Sequence, residues 1–151
     1  MRAVIQRVSR ASVRVDGKII GAIDEGLLVF LGVGKEDGEK DVDFMVRKIP
    51  NLRIFEDENG KMNRNLKEVG GKVLFISQFT LYGDCRRGLR PSFDEAAPPA
   101  EARRWCEKVV EGLEKEGITV EQGEFGAFME VDLLNQGPVT ILLDSKERRR
   151  Q

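Results

Sequence analysis

Seven consecutive residues, Leu27-Leu28-Val29-Phe30-Leu31-Gly32-Val33, carry no polar side chain and no alternation. A strand with one wet face alternates every second residue, so this unbroken run after Glu25-Gly26 predicts a central strand buried on both faces. The rest of the chain has to supply what covers it.

Upstream, Ala3, Ile5 and Val8, then Val13 and Val15, sit in short β-rich runs. Asp16-Gly17 is a strong two-residue hairpin signal, which makes Lys18 to Ala22 the returning strand. Val42, Met45, Val46 and Ile49 fall at i, i+3, i+4 and i+7, with Asp41, Asp43, Arg47 and Lys48 on the other face. That spacing predicts an amphipathic helix over 39–49, stopped by Pro50. Leu52 to Phe55 reads as a short strand before the turn Asp57-Glu58-Asn59-Gly60, and Val73 to Ile76 as another buried run. Ala102, Trp105, Cys106, Val109, Val110 and Leu113 predict a second helix from Pro99 to Lys115, capped by Gly117. Cys106 and Trp105 then belong to the core. Strands follow at Ile118–Val120, Phe128–Leu134 and Val139–Leu143, and residues 146–151 form a charged tail. The expected order is ββββαββαβββ, a strand-rich α+β fold in one domain spanning all 151 residues. Two helices cover only part of such a sheet, and the edges left over predict a homodimer.

The chain has no histidine, so a Ser-His-Asp triad, a Cys-His pair and any His-zinc site are impossible. Cys85 and Cys106 make no CxxC and read as reduced thiols, with a single bridge between them left open. No metal and no cofactor is expected. With 25 basic and 26 acidic residues, the net charge of −1 gives no long-range pull on phosphates. A nucleic acid would have to be met by a local basic patch. No stretch has the apolar length of a membrane span or a secretory signal, and the expected location is cytoplasmic.

Several motifs fail on spacing. Gly32-Val33-Gly34-Lys35 lacks the distant glycine and the following Ser or Thr of a phosphate loop, and reads as a strand end. Asp57-Glu58-Asn59-Gly60 has its glycine too early for a calcium loop and reads as a turn. Two stretches hold more. Ser77-Gln78-Phe79-Thr80-Leu81-Tyr82-Gly83-Asp84 gathers hydroxyls and an amide at the end of a central strand, either as a site or as the strand running on. Asn135-Gln136-Gly137-Pro138-Val139-Thr140 places Gly-Pro directly before a strand, an ordinary turn unless the bond is cis.

Those two stretches, the opening Met1-Arg2-Ala3-Val4-Ile5-Gln6-Arg7-Val8, Arg90-Pro91-Ser92-Phe93 and Gly126-Ala127-Phe128-Met129 together resemble the D-aminoacyl-tRNA deacylases, also called D-tyrosyl-tRNA deacylases. The resemblance spans nearly the whole chain in order. It implies a homodimeric ester hydrolase that frees tRNA from D-amino acids, and from glycine mischarged on tRNA(Ala), while rejecting L-aminoacyl-tRNA. The implied partner is the 3′ acceptor end of tRNA, with no DNA and no membrane. By resemblance, Ser77, Gln78, Phe79 and Thr80 line the catalytic pocket, and Phe125 and Met129 hold the adenine. Gly137-Pro138 looks like the family's cis dipeptide, inserted into the partner subunit's site, with Arg7 helping to hold it. Arg86, Arg87 and Arg90, and the tail residues Lys146, Arg148, Arg149 and Arg150, are the candidate phosphate contacts. Asp84-Cys85-Arg86-Arg87 departs from the Lys-containing stretch usual in the family, and Cys85 is given no chemistry. Two other functions stay open on the sequence: an editing domain for a mischarged L-amino acid, and a non-catalytic RNA-binding module.

Overall fold

The computed structural model describes residues 1–147; Arg148, Arg149 and Arg150 of the expected basic tail lie outside the described residues. The main sheet has six strands: β1 (Arg2–Val15), β2 (Lys18–Ile23), β3 (Gly26–Gly32), β6 (Lys72–Ser77), β7 (Val120–Gln122) and β8 (Glu130–Asp144). A small ribbon, β4 (Phe55–Glu56) with β5 (Met62–Arg64), stands apart, and the helices are α1 (Glu39–Lys48) and α2 (Pro99–Lys115). The order is therefore βββαβββαββ rather than the expected ββββαββαβββ. Two pairs of short runs have fused, one into β1 and one into β8, because the two strands pair with each other on both sides of the interruptions, and β5 is an added strand with no counterpart in the expected order.

β1 organises the sheet. Its first half pairs antiparallel with β3, its second half with β2 on the same edge, and its other edge pairs with β8 along most of its length, with register shifts on either side of Val8. The β1–β2 hairpin turns on Asp16 (φ 50°) and Gly17 (φ 76°), the two positive-φ positions that match the strand twist. β3 and β6 are parallel neighbours, and β7 extends the sheet beyond β6.

The central strand is buried on both faces, as its composition predicts. Leu27, Val29 and Leu31 of β3, with Val73 and Phe75 of β6, face one core with Met45 and Ile49 from the α1 region and Trp105, Val109 and Leu113 of α2. The alternate residues Leu28, Leu74 and Ile76 face a second core with Val8, Ala11, Val13 and Ile23, where the sheet curls over on itself. α2 runs over the expected residues and ends at Gly117, whose φ of 85° suits a glycine stop.

The region after α1 departs from expectation. Pro50 does not stop the winding; Ile49–Asn51 continues as a 3-10 turn whose first residues need no donor, so proline fits. The strand expected over Leu52–Phe55 shrinks to Phe55–Glu56, and the carbonyl of Ile54 is instead taken by Arg7 Nη1 at 2.8 Å. Asp41, expected on the outer face of α1, is buried. Its carboxylate accepts from the Gly38 N–H (2.8 Å) and the Ser145 hydroxyl (2.6 Å) and lies 3.2 Å from Lys146 Nζ, while the Met1 ammonium pairs with the neighbouring Asp37 at 2.7 Å. Lys146 thus belongs to a carboxylate cluster in the turn Ser145–Glu147 rather than to a loose tail. No helix among the described residues is long and apolar enough to cross a membrane.

Candidate active site

β6 ends at Ser77, and the Gln78 N–H extends the ladder by one bond to the Leu31 carbonyl at 2.8 Å. The chain then winds into a 3-10 turn over Phe79–Tyr82 instead of running on as a strand. Gly32 makes room for it. A Cβ there would lie 2.9 Å from the Gln78 carbonyl oxygen and 3.1 Å from Leu81 Cβ, so any side chain would push the turn off the end of β3. Phe79 projects outward, 58% exposed, and meets the edge of Phe93 with ring centres 5.0 Å apart.

Behind this turn lies a cavity of about 320 Å³. Ser77, Gln78, Phe79 and Thr80 form one side, and Phe125 and Met129, from the loop after β7, form the other. All six residues expected to line a pocket do so. Gln78 Nε2 donates to Thr80 Oγ1 at 3.0 Å, so the hydroxyl is held by an amide rather than by a base. Cys106 is the only lining residue with a titratable side chain, and burial pushes its thiol up to about 12. Phe79 and Thr80 open the 3-10 turn, so their N–H groups have no acceptor within it.

Gly137-Pro138 lies elsewhere. Two residues along β1, from Gln6 to Val8, correspond to five along β8, from Asn135 to Thr140, so the surplus chain is forced out of the sheet as a prong. Its Gly137–Pro138 bond is cis. Arg7, opposite the excursion, is buried and donates from Nε to the Gln136 carbonyl at 2.9 Å. A Cβ on Gly137 (φ 137°) would sit 2.8 Å from Val139 Cγ2 and 3.0 Å from Arg7 Nη2, which leaves that position to glycine. Asn135, given no role from sequence, ties the prong's base. Its Oδ1 accepts from the Val139 N–H at 2.8 Å and its Nδ2 donates to Thr140 Oγ1 at 3.1 Å. Gly137 lines a separate hollow with Arg7, Phe55 and Glu56, not the Thr80 cavity.

A family model described as D-Tyr-tRNA(Tyr) deacylase matches residues 4–144. The chain belongs to this deacylase family. Curated relatives named D-aminoacyl-tRNA deacylase are 57% identical in Thermosipho africanus (strain TCF52B) and 59% in Thermotoga petrophila (strain ATCC BAA-488 / DSM 13995 / JCM 10881 / RKU-1), each covering 97% of this chain and 99% of the relative. A solved structure described as c-Myc DNA Unwinding Element Binding Protein superposes with a TM-score of 0.90 at 43% identity, covering 95% of this chain and 98% of that one. A second, of a probable eukaryotic D-amino acid tRNA deacylase, shares the fold with a TM-score of 0.78 at 15% identity, covering 94% and 97%.

Within this member of the deacylase family, the arginines after the 3-10 turn are unequal. Arg86 is committed to Asp84, donating from Nε at 2.9 Å and Nη2 at 2.8 Å, and the guanidinium holds that carboxyl down at about 2. Arg87 and Arg90 are exposed and remain the better phosphate candidates. Cys85 is exposed and Cys106 is buried, both as free thiols, so the single bridge left open by sequence is not formed.

Proposed function

We propose that the chain hydrolyses the ester joining a D-amino acid to the 3′ end of tRNA, and glycine on mischarged tRNA(Ala), while excluding L-aminoacyl-tRNA. The observation that carries this reading is a pocket of about 320 Å³ lined by Ser77 to Thr80, Phe125 and Met129 yet with no side chain among its lining residues able to act as a base near neutral pH. This reading draws the proton acceptor from the substrate rather than from the side chains that line the pocket. The terminal ribose 2′-OH is the nearest candidate, positioning or activating a water while the Phe79 and Thr80 N–H groups meet the developing oxyanion. Thr80 as a covalent nucleophile is disfavoured, because its hydrogen-bond partner Gln78 is an amide and activates nothing.

Chirality is read as a matter of exclusion. The Gly137-Pro138 prong stands apart from the Thr80 cavity of its own chain, which favours a homodimer in which each subunit's prong enters the other's pocket. A backbone prong facing the α-carbon blocks an L side chain, lets a D side chain point away, and has nothing to reject in glycine. Among the described residues the edge of β8 opposite β1 carries no strand, and Leu134 and Leu142 of β8 are exposed. Burial of those side chains fits an association surface.

Release of tyrosine from D-tyrosyl-tRNA and L-tyrosyl-tRNA tests the reading directly. Hydrolysis of the D ester alone is expected; equal rates would reject stereochemical exclusion, and no turnover would leave an RNA-binding module. A terminal 2′-deoxyadenosine carrying the amino acid on its 3′ oxygen should not be hydrolysed. A trapped acyl-enzyme on Thr80 would overturn the ribose-assisted route.

A further inference from the structure

A second cavity, of about 370 Å³, adjoins the first and shares Ser77, Cys106 and Phe125 with it. Phe125 is a wall of both. The two spaces differ in chemistry: beyond Phe125 the lining includes Arg103 and Glu107 from α2, Gln122 at the end of β7, and Glu124. The Arg103 guanidinium lies 5.8 Å from the centre of the Phe125 ring. An aromatic plate with a guanidinium beside it is the usual equipment for holding an unpaired base, because every base has a π-face to stack.

Charge decides between a base and a phosphate as the occupant. Arg103 is opposed by Glu107 at 3.5 Å in a solvent-exposed pair, and Glu124 adds a second carboxylate, so the lining offers no net positive charge to hold a phosphate. A neutral base with an exocyclic amine suits it. The amine would donate to the Glu124 carboxylate, while Gln122 or Arg103 would donate to the ring nitrogen and carbonyl oxygen beside it, the pattern that cytosine offers.

We propose that this second cavity is a binding site for the base immediately preceding the terminal adenosine, with a preference for cytosine. The proposal rests on the deacylase reading above, in that the first cavity takes the adenosine. Phe125 then stands between two consecutive bases, and Arg103, Gln122 and Glu124 are binding residues for the second.

The test compares D-tyrosyl esters of adenosine, of cytidylyl-adenosine and of uridylyl-adenosine. The cytidylyl ester is expected to show a KM about tenfold below that of the adenosine ester, in line with stacking plus one good base contact. The uridylyl ester should fall between them. In Arg103→Ala/Gln122→Ala the ratio of the two KM values should collapse to about one, and Glu124→Gln should remove the preference for cytosine over uracil. A ratio measured on one protein sample is insensitive to partial misfolding. Equal KM values for the adenosine and cytidylyl esters in the unaltered protein would overturn the site, as would a ratio unchanged in the double variant. If none of the esters turned over, the deacylase reading would fail while the base site stayed testable: calorimetry should still show cytidylyl-adenosine binding more tightly than adenosine, and equal affinities would reject it.

Discussion

Gly32 and Asp41 show how single residues serve the site and the fold in ways their neighbours do not reveal. Gly32 reads as one more member of an apolar strand, yet its missing side chain admits Gln78 and the Phe79–Tyr82 turn that follows it. Gly32→Ala should therefore lower D-aminoacyl-tRNA hydrolysis at least tenfold while costing about 1–3 kcal/mol of stability, the usual range for overpacking. Thermal melts beside activity assays separate the two effects. Asp41 fell on the wrong face in the helical pattern because periodicity sorts residues by polarity and cannot see a distant hydroxyl and ammonium. Burial alone would raise its pKa, but hydrogen bonds from Ser145, Gly38 and Lys146 outweigh burial and hold it below the ordinary 3.8. The unfolded chain thus binds the proton first as pH falls. The stability Asp41 contributes is present above 3.8 and is lost as pH drops through its lower folded value. Asp41→Asn should cost about 3 kcal/mol at neutral pH and flatten the acid limb of the stability profile. Denaturant melts at stepped pH read both; an unchanged acid limb would mean that other carboxylates dominate it.

The helices and the central strand were legible because their patterns are long and periodic. α2 carries six apolar residues at helical spacing, and a proline and a glycine bracket it. The joins were less so. Val13–Val15 looked separate from Ala3–Val8, and Val139–Leu143 separate from Phe128–Leu134, because polar residues interrupt each run. Only mutual pairing makes them continuous. The contact between α1 and α2 was equally invisible: a Cβ on Gly112 would come within 2.5 Å of Val46 Cγ2, so the helices touch through a glycine. Gly112→Val should destabilise the fold by about 2 kcal/mol by forcing the two helices apart, without direct effect on the pocket. Urea unfolding together with KM for the D-aminoacyl substrate would check that separation. The prong belongs to this level too. Its sequence marked Gly137-Pro138, but the register slip that expels it and the Asn135 clamp at its base arise from pairing with β1.

For the molecule as a whole, the decisive question is whether prong and pocket meet between subunits. Light scattering at micromolar concentration should give the mass of a dimer. A complementation experiment goes further. Thr80→Trp fills the cavity but leaves the prong intact, and Gly137→Val displaces the prong but leaves the cavity intact. Refolded together, the two variants should recover D-selective hydrolysis that neither has alone; no recovery would mean the prong does not act across subunits. Residue order was enough to define the two helices, the doubly buried central strand and the members of the Ser77–Thr80 and Gly137-Pro138 motifs, because these depend on local periodicity and on recognisable short strings. Folding in three dimensions decided the rest. Phe125 and Met129 face Thr80 across a cavity, the buried Asp41 carboxylate is held by Ser145 and Lys146, and the prong stands away from its own chain's pocket, because distances between segments far apart in the chain are fixed by packing and pairing rather than by spacing along it.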